Sequence, residues 1–199
     1  MKKNQISLLI LLAGFLFVMS SCTTVRLTSW KDESSAAKVN YIVVFALSDK
    51  LEYSQAIEDA VKTKLIEKGL KCTKSLEFMA PNQQYANEEL KEKVLSLGAD
   101  AVLIFVPKGQ DKSVNYTPPT YSGYYRGWYG GAYAVSPGYY SESTTYNIQA
   151  NLYTVSDEKL VWTGDLSTTD PGSIQAVSYE IANSVYNDWL KRGLVTAAK

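Results

Sequence analysis

Two continuous apolar runs limit what this chain can fold into. The first extends from Tyr41 to Leu47 within NYIVVFAL, and the second follows Asp100 and continues to Val106 within DAVLIFV. Continuous apolar runs of this length are typical of strands that are covered on both faces of a sheet. We expect Pro107 to end the second strand, because proline cannot donate a ladder hydrogen bond. The sequence therefore predicts a sheet with helices packed against it.

Helical patterns separate these strands. From Ser54, which can cap a helix, apolar residues recur at intervals of three to five as far as Gly69. A strand through Cys72 follows, and Asn87 can cap a second helix that ends at Gly98. Parallel neighbouring strands need crossover connections, so the first half is predicted to be β-α-β-α-β.

The second half predicts antiparallel strands and a last helix. TYNIQANLYTV alternates apolar and polar residues as a half-exposed strand does, and KLVWTGDL returns after a turn at Ser156 and Asp157. Ser173 can cap the final helix. We therefore expect an α/β (α+β) fold with a mixed five-stranded sheet and three helices, in the order β-α-β-α-β-β-β-α. A long Tyr/Gly-rich insertion, residues 113–143, is predicted to interrupt a β-hairpin.

The first 22 residues have the layout of a secretory signal. MKKNQISLLILLAGFLFVMSSC begins with Lys2 and Lys3, continues with an apolar run from Ile6 to Met19, and ends in small residues before Cys22. Fourteen apolar-run residues at about 1.5 Å each are too few to span about 30 Å of hydrocarbon as a helix. We therefore expect a signal peptide at residues 1–21, a lipidated tether at 22–38 and a single domain at 39–195.

The residues at the predicted cut resemble the lipobox of bacterial lipoproteins. VMSSC, from Val18 to Cys22, has two small residues before a cysteine and an apolar residue ahead of them, with Met19 where Leu is commoner. The resemblance implies cleavage between Ser21 and Cys22, a diacylglyceryl thioether on Cys22, and an acyl chain such as palmitate on the freed amine. An ordinary secretory signal with a chance cysteine is the alternative.

The predicted anchor has consequences for location. Each buried CH₂ adds about 0.8 kcal/mol, so two or three acyl chains hold a protein durably at a membrane. Thr23 and Thr24 follow the cysteine, and the absence of Asp there, by resemblance to the sorting rule of enteric bacteria, implies the outer membrane. We expect the domain to face the periplasm.

The element order also resembles that of a bacterial lipoprotein group. With GADAVLIFV after a helix and NLYTVSDEKLVWTGD near the end, the chain resembles small uncharacterised lipoproteins whose α/β domain is similar to that of the curli-secretion lipoprotein. The resemblance covers about residues 39–192. It implies the fold, an envelope location and a homo-oligomeric ring as one option, and it implies no catalytic residue.

The composition excludes several classes of function. The chain contains no His, which removes Ser-His-Asp and Cys-His arrangements and His-ligated metal sites. Its formal net charge is zero, without the basic patch that a nucleic-acid partner needs. We expect no enzyme activity, no cofactor and no metal site.

Paired carboxylates are the remaining catalytic alternative, because two acids can hydrolyse glycosides. We expect the helix acids to lie in solvated first turns and the acids near the last strand to form turns. The pairs are Glu58 with Asp59, Glu88 with Glu89, and Asp165 with Asp170.

Cys72 is the one cysteine left once Cys22 carries lipid. In an extended strand, Cys72 would lie on the same face as Leu70 and Leu76, which predicts a buried, inert thiol. An intermolecular disulfide or a reactive thiol is the alternative.

The segment YSGYYRGWYGGAY supplies the candidate contact surface. In an extended chain, residues two apart point to the same face. The candidate tyrosines are four residues apart with a glycine midway between them, so they would share one face, and this face could stack on flat partners such as sugars or aromatic segments. An Arg and a Trp on the other parity could add stacking contacts. A flexible low-complexity loop and a hairpin that packs on its own domain are the alternatives. The candidate residues are Tyr121, Tyr125, Arg126, Trp128, Tyr129 and Tyr133.

These observations predict a lipid-anchored cell-envelope protein that acts as a non-catalytic binding or assembly module. Its expected partners are the membrane, through the lipid, and an envelope protein or glycan. An oligomeric secretion or pore-associated lipoprotein is one alternative, and a carboxylate-dependent envelope hydrolase is another.

Overall fold

A computed structural model describes residues 23–81, 85–118, 120–124, 131–136 and 138–196, and for residues 120–124 and 131–136 it describes only the backbone. The helices are α1 (Leu51–Glu67), α2 (Asn87–Leu97) and α3 (Ile174–Lys191), with a short 3₁₀ turn at Ser75–Glu77. The strands are β1 (Val25–Lys31), β2 (Tyr41–Ala46), β3 (Lys71–Lys74), β4 (Ala101–Thr117), β5 (Thr120–Tyr124), β6 (Gly131–Ser136), β7 (Tyr139–Thr154) and β8 (Leu160–Thr169).

One mixed sheet organises the described residues. Its spatial order is β1-β8-β7-β4-β2-β3, and β5 pairs with β6 in a separate two-stranded sheet. Strand β2 runs parallel to β3 and β4, and the other pairs are antiparallel. The predicted mixed α+β class is therefore confirmed, with six strands in the main sheet in place of five. None of the described helices is long and apolar enough to cross a bilayer.

The sixth strand comes from residues predicted to be a tether. Strand β1 pairs with β8 from Val25 opposite Thr168 to Lys31 opposite Trp162. Its residues alternate between half-buried and exposed, and Val25 and Leu27 pack against the main core. The tether prediction over 22–38 is corrected for Val25–Lys31, because a short alternating segment becomes a strand when a sheet edge offers it hydrogen-bond partners.

Two helices, α1 and α3, cover one face of the sheet. Leu103, Leu152 and Trp162 from adjacent strands lie in this core with no solvent exposure. Trp189 of α3 meets Trp162 edge to face, with 5.6 Å between ring centroids. Ser173 caps α3 as predicted, and its hydroxyl accepts a hydrogen bond from the Ala176 amide at 3.1 Å.

The third helix, α2, covers a smaller area of the opposite face. Val94 packs there against Tyr41 and Val43 of β2 in a second buried cluster. Helix α2 ends at Gly98, which has a left-handed conformation with φ 68° that glycine adopts without a Cβ clash. Strands β1, β8 and β7 lie beyond this second cluster, so much of that face has no helix over it among the described residues.

Some predicted element ends are wrong. Helix α1 begins at Leu51, so Ser54 is a buried helical residue and not the cap. Helix α2 begins at Asn87 itself, with Ala86 at the cap position. Strand β4 continues past Pro107 to Thr117 with a bulge between Pro107 and Gly109.

Proline is tolerated within β4 because its nitrogen faces the side on which the described strand β2 has already ended. The Leu47 amide donates to the Phe105 carbonyl, so Phe105 hydrogen-bonds toward the β2 side. Residue 107 has the same parity, and β2 ends at Ala46 opposite Phe105. The missing N–H of Pro107 therefore breaks no ladder bond.

The prediction that Glu58 lies in a solvated first turn is also wrong. Glu58 is in the middle of α1 and is fully buried. Its carboxylate accepts hydrogen bonds from the Ala46 amide at 3.0 Å, the Ser75 hydroxyl at 2.6 Å and the Leu76 amide at 3.3 Å. Glu58 therefore joins α1 to the end of β2 and to the 3₁₀ turn.

Cys72 is buried, as predicted for an inert thiol. Burial raises the pKa of its thiol to about 12. The reactive thiolate is therefore scarce at neutral pH.

Gly164 leaves room for two core side chains. A Cβ at this position would lie 2.6 Å from the Trp162 ring and 2.7 Å from Leu27 Cδ1. Because Trp162 is fully buried, we expect Gly164→Ala to lower the free energy of unfolding by about 1–3 kcal/mol. Urea unfolding followed by circular dichroism measures this change. Ser167→Ala on the same strand is the control, and equal stability of the two variants would contradict the prediction.

The pH dependence of stability tests the buried Glu58. Burial raises the pKa of Glu58 above its ordinary value, so the native state holds this proton more tightly than the unfolded state, whose pKa is about 4.3. Wild-type stability relative to Glu58→Gln should therefore fall as the pH rises from about 4 through the raised pKa, and level off above it. Urea unfolding over this pH range measures the difference, with Glu52→Gln as a control for the change in charge. A difference that does not vary with pH would refute the assignment.

Candidate binding surfaces

The predicted lipidation and cleavage residues, Cys22 and Ser21, lie outside the described residues. Thr23 is the first described residue. The carbonyl of the next residue, Thr24, accepts a hydrogen bond from the Thr168 hydroxyl at 3.2 Å. The chain that leaves the predicted anchor therefore joins the sheet within a few residues.

One carboxylate fastens β1 to the rest of the domain. Asp188 of α3 accepts hydrogen bonds at 2.8 Å from the Ser29 hydroxyl and the Trp162 indole, and at 2.9 Å from Arg192 Nε. Arg192 also donates to the Ser29 carbonyl at 2.9 Å. Because their shared acceptor is a charged, partly buried carboxylate, the three hydrogen bonds to Asp188 are stronger than neutral surface ones.

A salt bridge holds the chain just after β1. Asp32 lies 2.7 Å from Lys159, which precedes β8. The hydrogen bond from Lys159, followed by those from Ser34, lowers the pKa of Asp32 to about 2. With the Thr24 contact at its start and the Asp32 salt bridge after its last residue, β1 is attached at both ends.

Strands β4 and β7 extend beyond the sheet as a two-stranded arm. The pairing of β7 with β8 stops at Thr145 opposite Thr169, but β4 and β7 continue for six further pairs, from Lys112 with Thr144 to Thr117 with Tyr139. At about 3.4 Å per residue this arm is about 20 Å long. Tyr116 and Tyr140 pair across it, with their rings 4.8 Å apart and both side chains exposed.

The arm and the first residue of β1 lie at the same end of the sheet. Val25 pairs with Thr168, Thr168 pairs with Tyr146, and Tyr146 pairs with Gln110 at the base of the arm. Strand β1 runs parallel to β7, so the chain enters β1 from the side on which the arm projects.

The predicted tyrosine surface is only partly described. Tyr125, Arg126, Trp128 and Tyr129 lie outside the described residues. Tyr121 lies on β5 opposite Ala134, while Tyr133 lies on β6 opposite Ser122. The expected single extended row is therefore corrected: β5 and β6 are antiparallel, and Tyr121 and Tyr133 hold register positions of opposite parity. The sequence marked this segment but did not single out Tyr116 and Tyr140.

A cavity of about 490 Å³ lies on the incompletely covered face of the sheet. Arg26 and Thr28 line it from β1, and Asp165 and Ser167 from β8. Asn147 of β7 and the β4 residues Lys108 and Asp111 complete its polar lining.

Two polar contacts order this face. Asn147 Nδ2 donates to Asp111 Oδ2 at 2.7 Å, and the Thr163 hydroxyl donates to Asn151 Oδ1 at 2.7 Å. The alternation within each strand can be read from the sequence, but the pairing of β1 with β8 cannot, so the cavity was not predictable.

The predicted pair of Asp165 and Asp170 does not share this cavity. Asp165 lines the cavity, whereas Asp170 accepts a hydrogen bond from the Thr144 amide at 2.7 Å and has φ 46°, as a turn residue does. Asp111 is the second acid on the cavity wall.

Together these features define an α+β domain with a fastened N-terminal edge strand, a projecting two-stranded arm and a polar sheet face. No family model and no curated protein matches the sequence. Among solved structures, the chain is similar to the PelC dodecamer from Paraburkholderia phytofirmans, with 14% identity over 81% of this chain and 94% of that chain, at a TM-score of 0.48.

Two further solved structures are similar at lower scores. Lipoprotein GNA1162 from Neisseria meningitidis has 16% identity over 76% of this chain and 98% of that chain, at a TM-score of 0.42. A PDZ domain protein from Parabacteroides distasonis has 8% identity over 95% of this chain and 41% of that chain, at a TM-score of 0.38. At these TM-scores the similarities carry no functional argument.

The Asp188 contacts predict how firmly β1 is held. Asp188→Ala leaves the Trp162 indole and Arg192 without their shared acceptor, so we expect the free energy of unfolding to fall by about 1.5–3 kcal/mol. Hydrogen exchange should accelerate more in β1 than in β2, since among the described strands β1 has only β8 as a neighbour. Asn187→Ala, at the exposed neighbouring position, is the control. Unchanged exchange in β1 would show that Asp188 does not secure this strand.

Proposed function

We propose that this chain is a lipid-anchored protein of the outer membrane that faces the periplasm and acts as a non-catalytic binding or assembly module. Cleavage before Cys22 and acylation of that residue supply the anchor. The arm of β4 and β7, together with the Tyr/Gly-rich segment beyond it, supplies the contact surface.

The observation that carries this proposal is the shared location of the arm base and the start of β1. Thr23 directly follows Cys22, and Thr24 already contacts Thr168 beside the arm base. A lipid on Cys22 therefore keeps the base of the arm within a few residues of the membrane surface. The arm, at about 20 Å, can reach partners at or along that surface.

The exposed side chains of the arm support a role in contact. Val114 and Tyr116 of β4 are exposed, as are Tyr139 and Tyr140 of β7. Tyrosine combines an apolar ring with a hydroxyl and loses little conformational entropy on binding, which favours protein and glycan surfaces as well as membrane interfaces. No His exists in the chain to act as a general base, which supports binding without catalysis.

An oligomeric secretion component is the second candidate, and the sheet edges favour it. Strands β1 and β3 are the edge strands of the described sheet. Unpaired backbone groups on an edge can pair with a second chain. Light scattering of the lipid-bearing protein in detergent tests this candidate, and a monomer at all concentrations would refute it.

Two measurements on the protein in its native envelope test the main proposal. Intact mass of the wild type beside Cys22→Ala should give a chain that begins at Cys22 with two or three acyl chains, all absent from the variant. A photo-crosslinking amino acid at position 140 should then form adducts with an envelope component, whereas the same amino acid at exposed position 179 on α3 should not.

Deletion of the arm supplies the control for these adducts. Joining Asp111 to Thr145 by an Asn-Gly turn should leave the sheet folded, because these two residues already pair. In this variant, a photo-crosslinker at position 179 should behave as in the full chain, and membrane attachment should persist. An unlipidated wild type would overturn the anchor, and equal adduct formation at positions 140 and 179 would overturn the arm as contact surface.

A further inference from the structure

The uncovered face of the sheet carries a regular array of polar side chains. The register places Arg26 opposite Ser167, Thr28 opposite Asp165, and Trp30 opposite Thr163. Residues that oppose each other on adjacent strands lie on the same face. Among the described residues no helix packs over this part of the sheet, so the array is open to solvent.

Strand β7 continues the array with three amides. Asn147 pairs with Ser167, Gln149 with Asp165, and Asn151 with Thr163. With neighbouring strands about 4.8 Å apart, the array from β1 to β4 is about 14 Å wide. This width accommodates a short oligosaccharide, which the cavity of about 490 Å³ beside Asn147 could also admit.

Formal charges on the cavity wall balance. Arg26 and Lys108 supply two positive charges, and Asp111 and Asp165 supply two negative ones. A polyanion or a polycation would meet as much repulsion as attraction here, whereas a neutral ligand with many hydroxyls would find both donors and acceptors. The balance of charges at the cavity end of the array thus favours an uncharged polar ligand.

The hydrogen bonds within the array leave defined groups available. Asp111 accepts from Asn147 Nδ2, so Asn147 Oδ1 remains to accept, and Thr163 donates to Asn151 Oδ1, so Asn151 Nδ2 remains to donate. Gln149 lies between these two asparagines on the same face and offers both kinds of group. Holding two of the three amides in place lowers the entropy cost of binding.

An aromatic ring completes the array at its edge. Trp30 is 52% exposed, although tryptophan usually buries most of its surface. An exposed indole can stack on the C–H face of a pyranose ring while neighbouring amides bond the hydroxyls. This combination distinguishes a sugar from a small ion or an apolar chain.

We propose that the face formed by β1, β8, β7 and the adjacent part of β4 binds an uncharged oligosaccharide. Gln149 and Asn151 bond its hydroxyls, and Trp30 stacks on one of its rings. This site is separate from the tyrosine arm and requires no lipid on Cys22, so its failure would leave the proposed function untouched.

Glycan-array binding by the full chain in detergent tests the site. The probes are neutral oligosaccharides of glucose, N-acetylglucosamine, mannose and galactose in α and β linkages, with dextran sulfate as the charged probe. We expect at least one neutral glycan to bind, and Gln149→Ala and Trp30→Ala each to weaken it about tenfold, as expected for one lost hydrogen bond or stacking contact. Trp30→Phe should retain most of the affinity.

Matched controls separate a lost contact from a lost fold. Gln175→Ala changes an exposed glutamine on α3, over the other face of the sheet, and should bind as the wild type does. Urea unfolding should show native stability for Gln149→Ala, whose side chain is half-exposed. Absence of neutral-glycan binding would overturn the proposal, as would unchanged affinity in both variants or binding to dextran sulfate alone. Self-association that Trp30→Ala abolishes, without glycan binding, would identify a second copy as the occupant.

Discussion

The hydrogen bonds to the Asp188 carboxylate are the interaction on which the arrangement of this domain depends. They join the first described strand, the buried Trp162 and the end of α3 at one point. Strand β1 has a single neighbour among the described strands, so backbone pairing alone would hold it weakly. A charged, partly buried acceptor adds a second attachment. A lipid anchor on Cys22 would therefore be connected to the core through strand β1, and not through a loose tether.

The two faces of the sheet have different environments because its strands alternate. On one face α1 and α3 exclude water from residues such as Leu152 and Trp162. On the other face α2 covers only the β2 end, and the remaining strands present amides, hydroxyls and balanced charges. The arm is a third environment, because β4 and β7 continue where no other described strand pairs with them. One scaffold thus presents a polar face and a tyrosine-rich arm in different places.

Much of the fold was predictable because its signals are local. The apolar runs at 41–47 and 100–106 became strands β2 and β4, and Ser173 caps α3. The failures involve long-range partners. Glu58 resembles an ordinary surface acid in sequence, yet the donors on Ala46, Ser75 and Leu76 surround it. Strand β1 was missed because a polar alternating segment forms a strand only when an edge such as β8 is available.

The sequence by itself determined the periods of the strands and helices, and with them the α+β class, because side-chain direction follows directly from local backbone geometry. It also marked the segment with the arm, through its tyrosines and glycines. Only the tertiary structure decided which strands are neighbours, since this choice depends on hydrogen bonding and burial between distant segments. The polar face shows the difference: the predicted turn at Ser156 and Asp157 already brings Asn151 beside Thr163, but Trp30 is far from both in the chain, and only the pairing of β1 with β8 brings it onto the same surface.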